Sequence, residues 1–386
     1  MSSDNNPANN SDHSARRAAP PSGRPPREMW KTGLVIALVV VILAGGGLAT
    51  AYLTGIIGGP KPVTPTTVPS GNATTAPSPT PPPPPMERWP LTGVGVAAVI
   101  QRPALAVKIE NAEESRPQGG LEDADIVYEE MVEGGVSRLI GVYHSTLPLE
   151  IVPLRSVRPM DGPIVSWTGG LLAFSGGQEE FTSRAENDGL QLISMDWGDD
   201  GFTRADNRPS PHDVVGDPVA FLDQADADHQ APPPPFAAFA VDGASSTAQL
   251  QGTPATTLSV VISGSAKPNW TWNPAAKAWL RDEMGDPAMT EAGTQLQATN
   301  VLVVEVNVRS LPGTDAAGSH IPESIVVGSG DGLVATAGQT APVTWQKDSD
   351  SGAWQFLDAA GQPVQLLPGN TWVELVPSST GSWSTK

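Results

Sequence analysis

No cysteine occurs anywhere in this 386-residue chain. Disulfides, thiol catalysis, Cys-ligated zinc and a lipid-bearing N-terminal Cys are therefore all excluded, and any folded body is held by its own core. Positive charge is also scarce: 22 Lys and Arg stand against 41 Asp and Glu, a net charge of −19. The residues before the first apolar run are slightly basic, so the remainder carries more than all of that negative charge. A surface of this sign repels phosphate backbones, which excludes nucleic acid as a partner. One stretch, Gly33 to Gly59, has no charge at all.

That stretch centres on Leu34–Leu43 and continues to Ile56-Ile57. About 24 helical residues at 1.5 Å rise span roughly 36 Å, enough for a bilayer core with some tilt. Arg16, Arg17, Arg24, Arg27 and Lys31 precede it, and Trp30 sits where an interfacial anchor belongs. The expectation is a single-pass protein of the plasma membrane: a disordered cytoplasmic tail over 1–31, a transmembrane helix over 32–58, and an extracytoplasmic body. A cleaved signal peptide is the alternative, with Ala49-Thr50-Ala51 as a small-x-small cleavage site. Either way the body is exported.

Residues 59–88 are rich in Pro, Thr and Ser, ending in Pro81–Pro85. Such a segment buries no core and reads as a disordered, extended stalk, reaching at most ~80 Å. The body then reads as α+β: a mixed α/β N-terminal domain over 89–230, a linker over 231–256, a β-rich C-terminal domain over 257–378 and a tail over 379–386. Ala104–Ile109, Asp125–Val132, Val136–His144 and Gly170–Phe174 have strand character, with Gly134-Gly135 as a hairpin turn. Glu179–Ser194 has helical spacing, and Asp217-Pro218 is an N-cap followed by proline at the first helical position. The C-terminal half holds short β-branched and aromatic runs, among them Thr257–Ser263, Asn300–Val308, Ser324–Val327, Pro342–Gln346, Ala353–Leu357 and Trp372–Val376.

An ordered set of motifs runs through the N-terminal half: Pro90-Leu91-Thr92-Gly93, Leu105-Ala106-Val107-Lys108-Ile109-Glu110-Asn111, Arg116-Pro117-Gln118, Ala124-Asp125-Ile126-Val127-Tyr128-Glu129, Val132-Glu133-Gly134-Gly135, Pro153-Leu154-Arg155-Ser156-Val157-Arg158-Pro159 and Arg208-Pro209-Ser210-Pro211-His212. Weaker ones follow, including Trp270-Thr271-Trp272-Asn273, Leu280-Arg281 and Pro368-Gly369-Asn370-Thr371-Trp372. Together they resemble the YerB-like lipoproteins, a bacterial cell-envelope family of a domain of unknown function with N- and C-terminal parts. The resemblance covers Trp89 to about Val376 and implies a location and a fold, but no reaction. A lipoprotein needs a lipobox Cys, which this chain lacks, so the expected membrane helix would take over the anchoring. Asp286-Pro287-Ala288, after Arg281, departs from the family pattern and argues against a polar site in the C-terminal part.

Among polar clusters, Arg155, Ser156 and Arg158 stand out, because two guanidiniums close together on an extended segment could clamp a carboxylate or phosphate bidentately. Their other reading is structural neutralisation of Glu129, Glu130 or Glu133. Arg204, Arg208 and His212 form a second basic group. Glu129 and Glu133 with His144 are candidates for acid–base chemistry, or are simply solvated or ion-paired. His144, Ser156 and Asp161 can be written as a triad, but no Gly-x-Ser-x-Gly elbow supports it. Asp196–Asp200 and Asp223–Asp228 lack the spacing of a calcium loop, so no metal and no cofactor is expected. The indoles in the C-terminal half read as core, with Trp270 and Trp272 as an alternative sugar-stacking pair. The leading function is a non-catalytic envelope module binding cell-wall glycopeptide or an envelope protein through Arg155, Ser156, Arg158, Arg204, Arg208 and His212. The alternatives are an envelope hydrolase or transferase using Glu/His chemistry, and a structural scaffold.

Overall fold

The computed structural model describes residues 86–315 and 318–386. The expected cytoplasmic tail, the membrane helix and all but the end of the stalk lie outside the described residues. Among the described residues, no helix is long and apolar enough to cross a membrane.

After a short antiparallel pair, Glu87–Arg88 with Gly95–Val96, three strands open the main sheet: β1 (Leu105–Glu110), β2 (Ile126–Met131) and β3 (Ser137–Tyr143). Both β1 and β2 pair antiparallel with β3. The β2–β3 connection turns at Gly134 (φ 70°) and Gly135 (φ 75°), a left-handed pair that favours glycine. These strands are buried on both faces, which explains their near-continuous apolar sequence. Alternation divides their side chains between two cores: Ala106, Tyr128 and Ile140 enter one, and Leu105, Val127 and Leu139 the other.

Strand β4 (Leu171–Phe174) runs parallel to β1, and β5 (Gln191–Ser194) parallel to β4. Their crossover is helix α1 (Glu179–Asn187), which buries Phe181, Thr182 and Ala185. The helical spacing read over Glu179–Ser194 thus stops at Asn187, and the β-branched and apolar end of the segment becomes β5. Helix α2 (Pro218–Leu222) starts as the sequence indicates: Asp217 accepts from the amides of Val219 and Ala220, and Pro218 occupies the first turn.

The C-terminal half builds a second, smaller sheet from β6 (Thr257–Val261), β7 (Pro268–Asn273) and β8 (Ala278–Glu283). It also extends the first sheet with β9 (Asn300–Thr314), β10 (Gly328–Thr336), β11 (Gln339–Lys347) and β12 (Thr371–Pro377). Strand β12 inserts between β9 and β2, parallel to both, pairing Thr371 with Ile126 and Glu374 with Glu129. The result is one twelve-stranded mixed sheet that runs through both halves. The described body is mostly β, and its two sequence regions share one main sheet.

The segments at the margins are integrated too. Within 231–256, Phe236, Ala240 and Ala248 are buried, Ala238–Phe239 pairs with Gln365–Leu366, and a short helix at Thr247–Gln251 opens with a Ser246–Gln249 capping box. The proline run hides this, because elements this short leave no periodicity to read. Residues 382–385 form strand β13, which pairs with β6 at the edge of the smaller sheet. The smaller sheet covers one face of the large one, and helix α1 lies on the other.

Candidate functional site

On the α1 face, Lys108 of β1 is fully buried between Glu130 and Asp161, with Asp161 2.8 Å away. Two carboxylates share this one ammonium. Burial and the neighbouring Asp161 hold Glu130 well above the usual carboxylate range. One rung further along β1, Glu110 leads outward. Its carboxylate takes Arg155 Nε at 2.9 Å and His212 Nδ1 at 2.7 Å. Arg158 Nε lies 2.6 Å from Glu133 at the hairpin turn, and Arg138 donates to the carbonyl of Ser156 at 2.8 Å.

Three guanidiniums and an imidazole therefore crowd around two carboxylates. Arg138 is about nine-tenths buried, and burial, with Arg158 and Arg155 nearby, brings it down to about 10. Among the described residues Arg155 commits only Nε, and Arg138 only one terminal nitrogen. The remaining N–H donors form a set suited to a carboxylate or phosphate.

This cluster unites Arg155, Ser156, Arg158 and His212, and adds Arg138 and Glu110. Ser156 contributes its backbone carbonyl. Arg204 and Arg208 are engaged elsewhere. Arg204 pairs with Asp213 at 2.7 Å, and Arg208 clamps the carbonyls of Ser115 and Pro117 while meeting Glu291 at 2.6 Å. Arg208 is thus a brace for the 115–117 loop.

The acid–base candidates do not converge. Glu129 points to the opposite face from Glu130, Glu133 is held by Arg158, and His144 lies past the far end of the hairpin, its amide on Asp125. The His144 ring is buried edge-on against Trp89, with no partner for either nitrogen among the described residues. Burial, with Arg102 adding, lowers it to about 4, so it stays neutral. The triad on paper fails as well, because Asp161 belongs to Lys108. The Trp270–Trp272 pair is no exposed platform: Trp270 is fully buried, and Trp272 leans on Trp279 at 5.6 Å.

The sequence reading missed the central charged residue. Arg281 of β8 is buried between the two sheets, bonding Glu129 at 2.6 Å, Glu283 at 2.6 Å and Glu374 at 2.9 Å. Its guanidinium also lies over the rings of Trp372 (4.6 Å) and Trp270 (5.4 Å). Trp270 Nε1 donates to Glu374, and Ser137 and Asn111 donate to Glu129. Burial and the neighbouring Glu129 hold Glu374 well above the usual carboxylate range. Burial also works against Glu129, but Arg281 and these hydrogen bonds outweigh it and bring Glu129 below its ordinary value. The strand reads Ala-Trp-Leu-Arg-Asp-Glu, so Arg281 looks like the start of a solvated charged end rather than a buried hub.

Residues 91–231 match the family model described as "Protein of unknown function (DUF3048) N-terminal domain", and residues 258–373 match its C-terminal domain. The chain belongs to the DUF3048 family. It is 30% identical over 125 residues to a Bacillus subtilis protein of the family named "Putative lipoprotein YerB", a match covering 32% of this chain and 38% of that relative's length. The crystal structure of YerB from Bacillus subtilis superposes with a TM-score of 0.64 at 21% identity, covering 77% of this chain and 99% of that one. That likeness is one of fold. In this DUF3048 chain, both matched regions contribute strands to the main sheet.

Proposed function

We propose that this protein is a non-catalytic, extracytoplasmic envelope module that binds a carboxylate-bearing cell-wall glycopeptide or envelope protein at the Arg138, Arg155, Arg158 and His212 cluster. One observation carries the reading: a nine-tenths buried arginine and two partly buried ones keep N–H donors uncommitted on a body that is otherwise strongly acidic. Fixed donors of this kind lose little entropy when a carboxylate arrives. A membrane-proximal place agrees with the family's lipoprotein relative, and the apolar stretch at 32–58 supplies the anchor that a lipobox would otherwise give. The failure of Glu129, Glu133 and His144 to meet weighs against acid–base catalysis by those residues.

The test is co-sedimentation of the purified full chain with isolated cell wall. Wild-type protein should pellet, and release should rise with salt, because the contact is charge-assisted. Arg155→Ala/Arg158→Ala should reduce pelleting about tenfold or more, the loss of one or two charge-assisted bonds. Equal pelleting by the folded double variant would remove this surface from the account.

A further inference from the structure

A cleft of about 660 Å³ opens on the other side of the Glu110–Asn111 peptide, between the 111–118 loop and the strap that follows β8. That is the size of a site for a small ligand or a few peptide residues. Its near wall is held rigidly. Arg116 donates to the carbonyl of Asn111 at 2.7 Å, Gln118 donates to Asn111 Oδ1 at 2.9 Å, and Arg208 braces the loop from behind. Its far wall is the turn from Glu283 to Asp286, where Met284 adopts φ 55°, a left-handed conformation unusual for a side chain of that size.

Two properties of the lining point to one kind of occupant. The walls are apolar and adaptable: Met284 and Met289 are 48% and 39% exposed, and Val136, Pro287 and Ala288 lie beside them. Exposed methionines facing a cavity contribute nothing to a core and conform to a bound aliphatic chain. The ionisable lining is one-sided, with Glu113, Glu114, Glu283 and Asp286 against Arg116 alone. Arg116 is itself tied to Asn111, and Glu283 at the base is already committed to Arg281 and the Lys267 amide, which leaves Glu113, Glu114 and Asp286 as the exposed acids. An aliphatic stem ending in a cation satisfies both halves.

We propose that this cleft is a second binding site that takes an ammonium-bearing peptide segment, the methylenes of a lysine-like side chain lying on Met284 and Met289 and its ammonium directed at Glu114 and Asp286. The site is independent of the arginine cluster: it lies between the loop and the smaller sheet, and it has the opposite charge preference. A peptide bearing both an ammonium and a carboxylate would suit the two sites together.

The experiment measures binding of a fluorescent acetyl-Ala-Lys-Ala-amide probe to the full chain in detergent micelles, alongside the same peptide with its lysine acetylated. The lysine peptide should bind, and acetylation should weaken it at least tenfold. Glu114→Gln/Asp286→Asn, both at the exposed rim, should weaken binding about tenfold with no change in melting temperature. Met289→Trp, which fills the cleft, should abolish binding. If that variant does not fold, the rim variant alone decides. Arg155→Ala/Arg158→Ala should bind this probe like wild type, which separates failure here from failure of the arginine site. No binding at millimolar peptide, equal affinity for the acetylated probe, or unchanged affinity in the rim variant would each overturn the proposal.

Discussion

At the scale of single residues, the protein is defined by buried carboxylates that outnumber their cations. Arg281 serves Glu129, Glu283 and Glu374 between the sheets, and Lys108 serves Glu130 and Asp161 on the other face. Removing the cation strands the acids. Arg281→Met should therefore cost about 3–5 kcal/mol, the penalty for uncompensated buried charge, read from urea unfolding. The pH dependence follows from Glu374, whose carboxyl burial and Glu129 hold well above the usual carboxylate range in the fold. In the unfolded chain it ionises at the ordinary carboxylate pH. The folded form thus binds one more proton over the window between the two values, and its stability is complete below that window and falls as pH rises through it. Each such proton steepens the decline by at most ~1.4 kcal/mol per pH unit. Glu374→Gln keeps an acceptor for Trp270 and Arg281 and a donor for Glu129, so its stability should decline less between pH 5 and 8. Parallel pH profiles for the two proteins would show that Glu374 is already ionised.

At the scale of elements, the N-terminal strands were legible because their apolar runs are punctuated by glycine and proline, with Pro103 before β1, Gly134-Gly135 between β2 and β3, and Gly170 before β4. The β2–β3 hairpin and the Asp217 cap of α2 follow directly from local chemistry. Strand β10 escaped because its sequence, Gly328-Ser329-Gly330-Asp331-Gly332, carries turn residues. Its glycines are needed for close approach, since a Cβ on Gly332 would lie 2.3 Å from the Val303 carbonyl. The arginine cluster was half legible: Arg155, Ser156 and Arg158 lie close together in sequence, but Glu110 and Arg138 join them only through strand register. Two substitutions separate kinds of local constraint. Gly134→Ala meets nothing within 4 Å and should cost only the left-handed penalty, ~1–2 kcal/mol. Gly170→Ala would place a Cβ 2.2 Å from the backbone oxygen of Ala104, which cannot move without breaking the β1–β4 pairing. It should destabilise by more than Gly134→Ala, as thermal melts of the two variants would show.

At the scale of the whole molecule, the sequence divides into two compositional halves, whereas the fold interleaves them. Proline-rich composition around 231–235 marks a boundary in sequence, yet β12 carries the C-terminal region back between β9 and β2. Such long-range pairing leaves no local trace, which is why it could not be read in advance. Residues 86–256 produced alone should not melt cooperatively, because they lack β12 beside β2 and leave Glu129 buried without Arg281. A sharp calorimetric transition for that fragment would contradict the interleaving. For topology, protease added to intact cells should digest the body and spare a short membrane-held stub. An undigested cytosolic body would refute export. The functional claim is tested most directly by titrating a soluble disaccharide-peptide from cell wall into full chain carrying nitrogen-labelled arginine. The account predicts saturable shifts of the Arg138, Arg155 and Arg158 side-chain Nε–H signals, with Arg204 unmoved; shifts absent from all three, or spread evenly over every arginine, would contradict it.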